Sequence, residues 1–229
     1  MEVVLVIHGF IDLYKLHPKF DLFNERFDQI QKEFRENLDQ LEFIAWHDDR
    51  AHQEGSGYVP VGAPLIGLQS EKQEQLPVWN KMYDWKDGLR AHKNIELVPT
   101  LVQTLIDCGI TRRASITKMQ PKSKIPLHRD GDPNPPGGIV LRGIVGLDVP
   151  EEEDKRCYLM VRNRPKKEWD TKDICNKSVA VFQPNHIHAV VNQLSGIRYT
   201  LCFDTVVWFE NYPEIVASCR TTGVWANLD

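Results

Sequence analysis

Cysteine is scarce in this chain and irregularly placed. Cys108, Cys157, Cys175, Cys202 and Cys219 are an odd number with no CxxC spacing. That excludes a disulfide framework and a paired-thiolate structural zinc site, and it fits a reducing compartment. An excess of positive charge is lacking too. The 28 Lys and Arg are scattered among 32 Asp and Glu, giving a net charge of -4 and a pI near 6.1. There is no electrostatic footprint for DNA, RNA or an anionic lipid surface, so neither nucleic acid nor membrane is an expected partner. The N-terminal "MEVVLVIHGFIDLYKLH" has no basic leader and meets His, Asp and Lys after an apolar run of about five residues, too short for a signal peptide or a membrane span. A cytoplasmic protein is the expectation. Internal repeats and low-complexity tracts are absent as well.

What is present is ordinary globular material. Of 229 residues, 41% are hydrophobic and 26% charged, enough to build a sizeable core. The length suits one domain over residues 1–229: a helical and loop part over 1–110 that covers a site, a β core over 111–209, and a C-terminal tail over 210–229. "VVLVI" (3–7) reads as a short buried strand. Phe23, Phe27, Ile30, Phe34, Leu38 and Leu41 recur at spacings of four and three, the stripe of an amphipathic helix with Asp21 or Asn24 as its cap. Residues 45–80 show no sustained period and read as loops or short strands. "ELVPTLVQTLIDCG" is a second helix, with Pro99 in its first turn and Gly109 as its stop. From about residue 111 the texture is β: "RASITKM", "IVLRGIVGLDV", "CYLMVRN", "SVAVF", "HAVVN" and "RYTLCFDTVVWF", parted by Pro, Gly, Asn and Asp. "PEEEDKR" (150–156) is a solvated turn. The predicted fold is mainly β, a jelly roll of the cupin-like, double-stranded β-helix kind, with the N-terminal helices packed outside.

The chemistry is concentrated in "KSKIPLHRDGDPNPPGGIVLR" (122–142). In an extended strand His128 and Asp130 point the same way. Two imidazoles and a carboxylate on one face of a metal, with the other positions open, suit non-haem Fe(II) and O2. The second imidazole comes from "VFQPNHIHAVVN", where His186 and His188 are themselves two apart, so spacing leaves both open as the distal ligand. Arg198, ten residues beyond His188, opens an otherwise apolar strand. A buried guanidinium there needs an anionic partner, such as the far carboxylate of a dicarboxylate cosubstrate. "LVIHGF" has the look of the strand before an α/β-hydrolase oxyanion segment, but no GxSxG follows and no nucleophile elbow exists.

The segments "SITKMQPKSKIPLHRD", "LRGIVGL" and "FQPNHIHAVVNQLSGIRYTLCFD", spread over residues 115–208, resemble the aspartyl/asparaginyl β-hydroxylase family of Fe(II)/2-oxoglutarate-dependent oxygenases. The resemblance implies His128 and His188 as iron ligands, and so selects His188 over His186. It also implies Arg198 as the holder of 2-oxoglutarate, Arg142 facing the cosubstrate's other carboxylate, and Thr117 and Met119 lining its pocket. This sequence departs from the family in three places. Asp130 completes a triad that some members lack, which favours hydroxylation over halogenation. The loop "GDPNPPGG" before Arg142 is longer than usual. Ile144 stands where the family often has His.

What the resemblance implies is an oxidoreductase, a dioxygenase that uses Fe(II), O2 and 2-oxoglutarate. It would hydroxylate a C–H bond of an amino acid, free or in a peptide, with release of succinate and CO2. Two alternatives stand beside it: a cupin-type metalloenzyme that does not use 2-oxoglutarate, and a non-catalytic jelly-roll binding module. For a substrate carboxylate the candidates are Arg90 and His92. His47, Asp48, Asp49, Arg50, Trp79 and Trp85 are further polar or aromatic residues of the covering half. Asp204, at the far end of the last strand, reads as structural.

Overall fold

The structure is a computed structural model, and it describes residues 9–11, 14, 18–41, 44–45, 65–67, 96–110, 113–130, 135, 137–162 and 168–211. The strand expected at 3–7, most of the covering segment with Arg90 and His92, and the tail beyond 211 lie outside the described residues.

Among the described residues, ten strands form two antiparallel sheets: β1 (Ile44–Ala45), β2 (Leu65–Gly67), β3 (Arg113–Met119), β4 (Ser123–His128), β5 (Gly138–Asp148), β6 (Cys157–Arg162), β7 (Trp169–Asp173), β8 (Val179–Phe182), β9 (His188–Asn192) and β10 (Arg198–Trp208). One sheet has the order β1-β2-β3-β10-β5-β8 and the other β4-β9-β6-β7. From β3 onward the chain crosses between the sheets at every step except β6 to β7, which is the winding of a jelly roll. The β runs expected from the sequence each appear within a residue or two of their predicted ends. Of the other four, β1 and β2 fall at or within the stretch read as loops or short strands, β4 carries the His128 expected on an extended strand, and β7 is additional. β7, "WDTKD", is exposed along nearly its whole length, so it carries no alternation for a sequence pattern to reveal. β4 includes Pro126, a residue that argues against a strand unless the strand is at an edge or bulged, and β4 is both.

Period-two alternation sorts the side chains of the larger sheet into two cores. Ala114, Ile116, Leu141, Val145, Val181, Leu201 and Phe203 face outward and pack with helix α1 (Asp21–Asn37) and helix α2 (Pro99–Asp107). Met119, Ile144, Ala180 and Phe182 face inward, toward Leu159, Val161 and Val190 of the smaller sheet. In α1 the stripe Phe23, Phe27, Ile30 and Phe34 is buried as the spacing predicted. Phe20 and Phe23 lie 5.4 and 6.2 Å from the Phe203 ring. Burying each such ring contributes about 1.5–3 kcal/mol.

The cap of α1 is not the expected one. Phe20 occupies the cap position without a side-chain hydrogen bond, and Asp21 is already the first helical residue, where its charge still favours the helix N-terminus. Asn24 is inside the helix and accepts from the Tyr14 hydroxyl at 3.3 Å. The helix ends at Asn37, so Leu38 belongs to a following 3-10 turn and Leu41 to the extended residue after it. α2 does begin at Pro99, and Gly109 at φ +67° turns the chain out of it. Its N-terminus is capped from outside: the Glu33 carboxylate of α1 accepts the Thr100 N–H at 2.9 Å. Among the described residues no helix is long and apolar enough to cross a membrane.

Candidate metal centre

His128 and His188 face each other across the β4–β9 pair, and a fault in that pair aims the first of them. The register runs Ser123↔Asn192 to Ile125↔Val190, then shifts so that His128 stands opposite His188. Regular alternation from Ser123 and Ile125 would send residue 127 inward and 128 outward. The bulge reverses this, leaving Leu127 57% exposed and turning His128 into the barrel. The strand ends there. Asp130 is therefore not on an extended strand as expected, but it still arrives beside His128, held by its own N–H to the Pro184 carbonyl at 3.1 Å.

The three side chains converge. His128 Nε2 is 3.6 Å from Asp130 Oδ1, and His188 Nε2 is 3.4 Å from Asp130 Oδ2. The two imidazole centroids are 4.1 Å apart. One ligand atom from each lies within 4.8 Å of the others, and these three form the one group of its kind among the described residues. His186 is buried but is not a member of it. Its backbone serves the centre in another way, because His188 Nδ1 lies 2.8 Å from the His186 carbonyl oxygen. A carbonyl can only accept, so Nδ1 carries the hydrogen and Nε2 keeps its lone pair toward the other two groups. Phe182, edge-on at 4.8 Å, packs the same ring.

The profile of the aspartyl/asparaginyl beta-hydroxylase family matches residues 24–207, four-fifths of the sequence and every element from α1 to β10. The chain belongs to that family. Its members are hydroxylases, and a His–Asp–His group in a barrel is a donor set suited to a metal. No curated protein matches the chain. Among solved structures, the cupin domain of Drosophila melanogaster CENP-C is similar over 40% of this chain and 59% of its own, at 4% identity and a TM-score of 0.31. A cupin domain from Bordetella pertussis is similar over 42% of this chain and 80% of its own, at 9% identity and a TM-score of 0.28. The chain thus spans about three-fifths of the fly domain's length, and neither likeness bears on activity.

For this hydroxylase-family chain, Arg198, Thr117, Met119 and Arg142 line the inner face of the larger sheet, whereas Arg90 and His92 lie outside the described residues. Arg198, the first residue of β10, is 2% exposed. Its Nη1 donates to the Cys157 thiol at 3.3 Å, and its Nε has no hydrogen-bond partner among the described residues. Thr117 is buried, its hydroxyl 2.7 Å from that of Thr200 on the neighbouring strand. Met119 pairs with Arg198 in the β3–β10 register and is fully buried.

Arg142 meets two carboxylates of its own chain. Its Nε and Nη2 donate to the two oxygens of Asp204 at 2.7 and 2.9 Å, and its Nη1 ion-pairs with Asp130 Oδ2. Burial pushes the Asp130 pKa up, but Arg142, with smaller help from His188 and His128, overcomes this and holds the carboxyl well below its ordinary range. Asp204, read from sequence as structural, and Cys157, not singled out at all, are the additional residues here. A signal for Asp204 was available: in "RYTLCFD" it lies six residues after Arg198 and so on the same face.

Proposed function

We propose that this protein is an Fe(II)- and 2-oxoglutarate-dependent oxygenase that hydroxylates a C–H bond of an amino acid, free or within a peptide or protein. The observation that carries the reading is Arg198. A guanidinium 2% exposed, with a thiol against Nη1 and no partner for Nε among the described residues, is costly in a barrel unless an anion joins it. The barrel that holds it also holds the His128, Asp130 and His188 group. A metal and a dicarboxylate therefore both fit what the residues offer.

In this reading His128, Asp130 and His188 hold the iron, with Nδ1 of His188 fixed on the His186 carbonyl so that its free nitrogen faces the metal. Arg198 binds the carboxylate of 2-oxoglutarate remote from the metal, and its planar fork gives that end a fixed orientation. Thr117 and Met119 would line the pocket beside Arg198, and the apolar surround of Ile144, Phe182 and Leu159 keeps bulk water away. When bound, iron, O2 and 2-oxoglutarate supply the oxidising power for hydroxylation, with succinate and CO2 as by-products.

The test is succinate release in air from iron-loaded protein, across free amino acids and short peptides. Release that needs 2-oxoglutarate and a substrate, and that vanishes in His128→Ala, is the expected result. Oxidation of a substrate with no requirement for 2-oxoglutarate would remove the cosubstrate from the account.

A further inference from the structure

Asp204 is 0% exposed and, by alternation along β10, shares the inner face with Arg198. It stands directly opposite Arg142 in the β10–β5 register, so the backbone ladder fixes their approach. The contact is side-on: Nε to Oδ1 at 2.7 Å and Nη2 to Oδ2 at 2.9 Å. This geometry matters because of what it leaves over. An end-on fork would occupy both terminal nitrogens of Arg142, whereas the side-on grip spares Nη1, and Nη1 reaches Asp130 Oδ2.

Asp130 needs such a hold. It lies two residues past the last residue of β4, so no ladder fixes its side chain, and its backbone anchor is the bond to Pro184. With one carboxylate oxygen taken by Arg142, the other is left for a cation beside His128 Nε2, 3.6 Å away. Among the described residues, the carboxylates of Asp130 and Asp204 share the Arg142 guanidinium, a balance favourable to an entering divalent ion beside the two imidazoles.

We propose that Asp204 is a positioning residue for the metal centre: acting through Arg142, it holds one oxygen of Asp130 and leaves the other to the ion. The inference rests on the reading of His128, Asp130 and His188 as metal ligands. Partners that orient a ligand in this manner are worth about 10- to 100-fold in metal affinity.

The experiment is anaerobic Co(II) binding to the full chain, measured by competition with a chelating dye, for wild type, Asp204→Asn and the double variant Arg142→Met with Asp204→Leu. Removing one partner of a buried pair risks the fold. The double variant removes the Arg142–Asp204 pair as a unit and leaves Asp130, whose side chain is 14% exposed, to be neutralised by a proton or by water in the metal-free protein. Co(II) affinity should fall by about 10- to 100-fold in the double variant, its fold verified by a cooperative metal-free melt. Asp204→Asn, if folded, should fall in the same direction. Wild-type Co(II) affinity in the folded double variant would show that Asp204 and Arg142 serve the fold alone, and would overturn the proposal. Failure of wild type itself to bind Co(II) would instead overturn the metal reading on which the proposal stands.

Discussion

Replacing Arg198 with Met should raise the stability of the metal-free protein while destroying its hold on 2-oxoglutarate. The guanidinium is buried, one nitrogen meets a thiol at 3.3 Å and Nε has no partner among the described residues, so its lost hydration is poorly compensated. Exchanging buried charges for apolar side chains of similar volume has typically been worth about 1–4 kcal/mol. At about 2–4 °C per kcal/mol for a chain of this size, the metal-free variant should melt higher by on the order of 5 °C. Binding goes the other way. A bidentate carboxylate contact consists of two charge-assisted hydrogen bonds of about 1.5–3 kcal/mol each. Their loss corresponds to roughly a 100- to 10,000-fold weaker affinity for 2-oxoglutarate. Calorimetric melting of the metal-free protein and titration of the metal-loaded protein with 2-oxoglutarate measure the two effects separately. A variant that melts lower and binds 2-oxoglutarate as before would refute the reasoning, and would make Arg198 a structural residue satisfied by Cys157.

Other perturbations have equally definite outcomes. His128→Ala should remove divalent-metal binding and turnover together, read by dye competition and succinate release; intact binding would mean that the metal is held elsewhere. Gly143→Ala drives a methyl carbon into the Phe203 ring, which Phe20 and Phe23 hold from behind, so thermal melting should show a loss of at least about 1–3 kcal/mol. Burial lifts the Cys108 thiol to about 12, and it donates to the Lys19 carbonyl at 3.2 Å, so a thiol reagent at mild alkaline pH should label exposed Cys175 in the native protein and spare Cys108 until unfolding. Glu152, hydrogen-bonded by Lys155 and by the Ser195 N–H, is depressed from 4.5 to about 2. The unfolded chain binds that proton first, so the contribution is present above pH 4.5 and is lost as pH falls toward 2. Glu152→Gln should flatten that part of the acid limb in melts recorded across the range.

Much of the fold was legible because its signals are local. The α1 stripe, the Pro99 start and Gly109 stop of α2, and six β runs rest on periodicity and punctuation, which neighbouring residues decide. β7 escaped because a strand with so little buried surface leaves no pattern, and the bounds of β4 were obscured by Pro126, a strand breaker except at an edge or a bulge. The site was legible to a similar depth. That His128, Asp130 and His188 come together could be read from spacing and resemblance, since the ligand types themselves carry the chemistry. What spacing could not supply was the three-dimensional fate of the charges. Arg142 was matched by its position in an "LR" pair, but its partner is set by the β5–β10 register, which lays it against Asp204. The bulge that turns His128 inward is likewise a property of two paired strands, and no single segment records it.

The central claim is that one barrel brings together an iron site and a 2-oxoglutarate site, and an anaerobic titration of the Fe(II)-loaded protein with 2-oxoglutarate tests it directly. Chelation of the metal by the cosubstrate gives a weak visible charge-transfer band. The account predicts that the band appears and saturates in wild type, is absent in His128→Ala, and requires far more 2-oxoglutarate in Arg198→Met. Iron binding with no band at any 2-oxoglutarate concentration would contradict it.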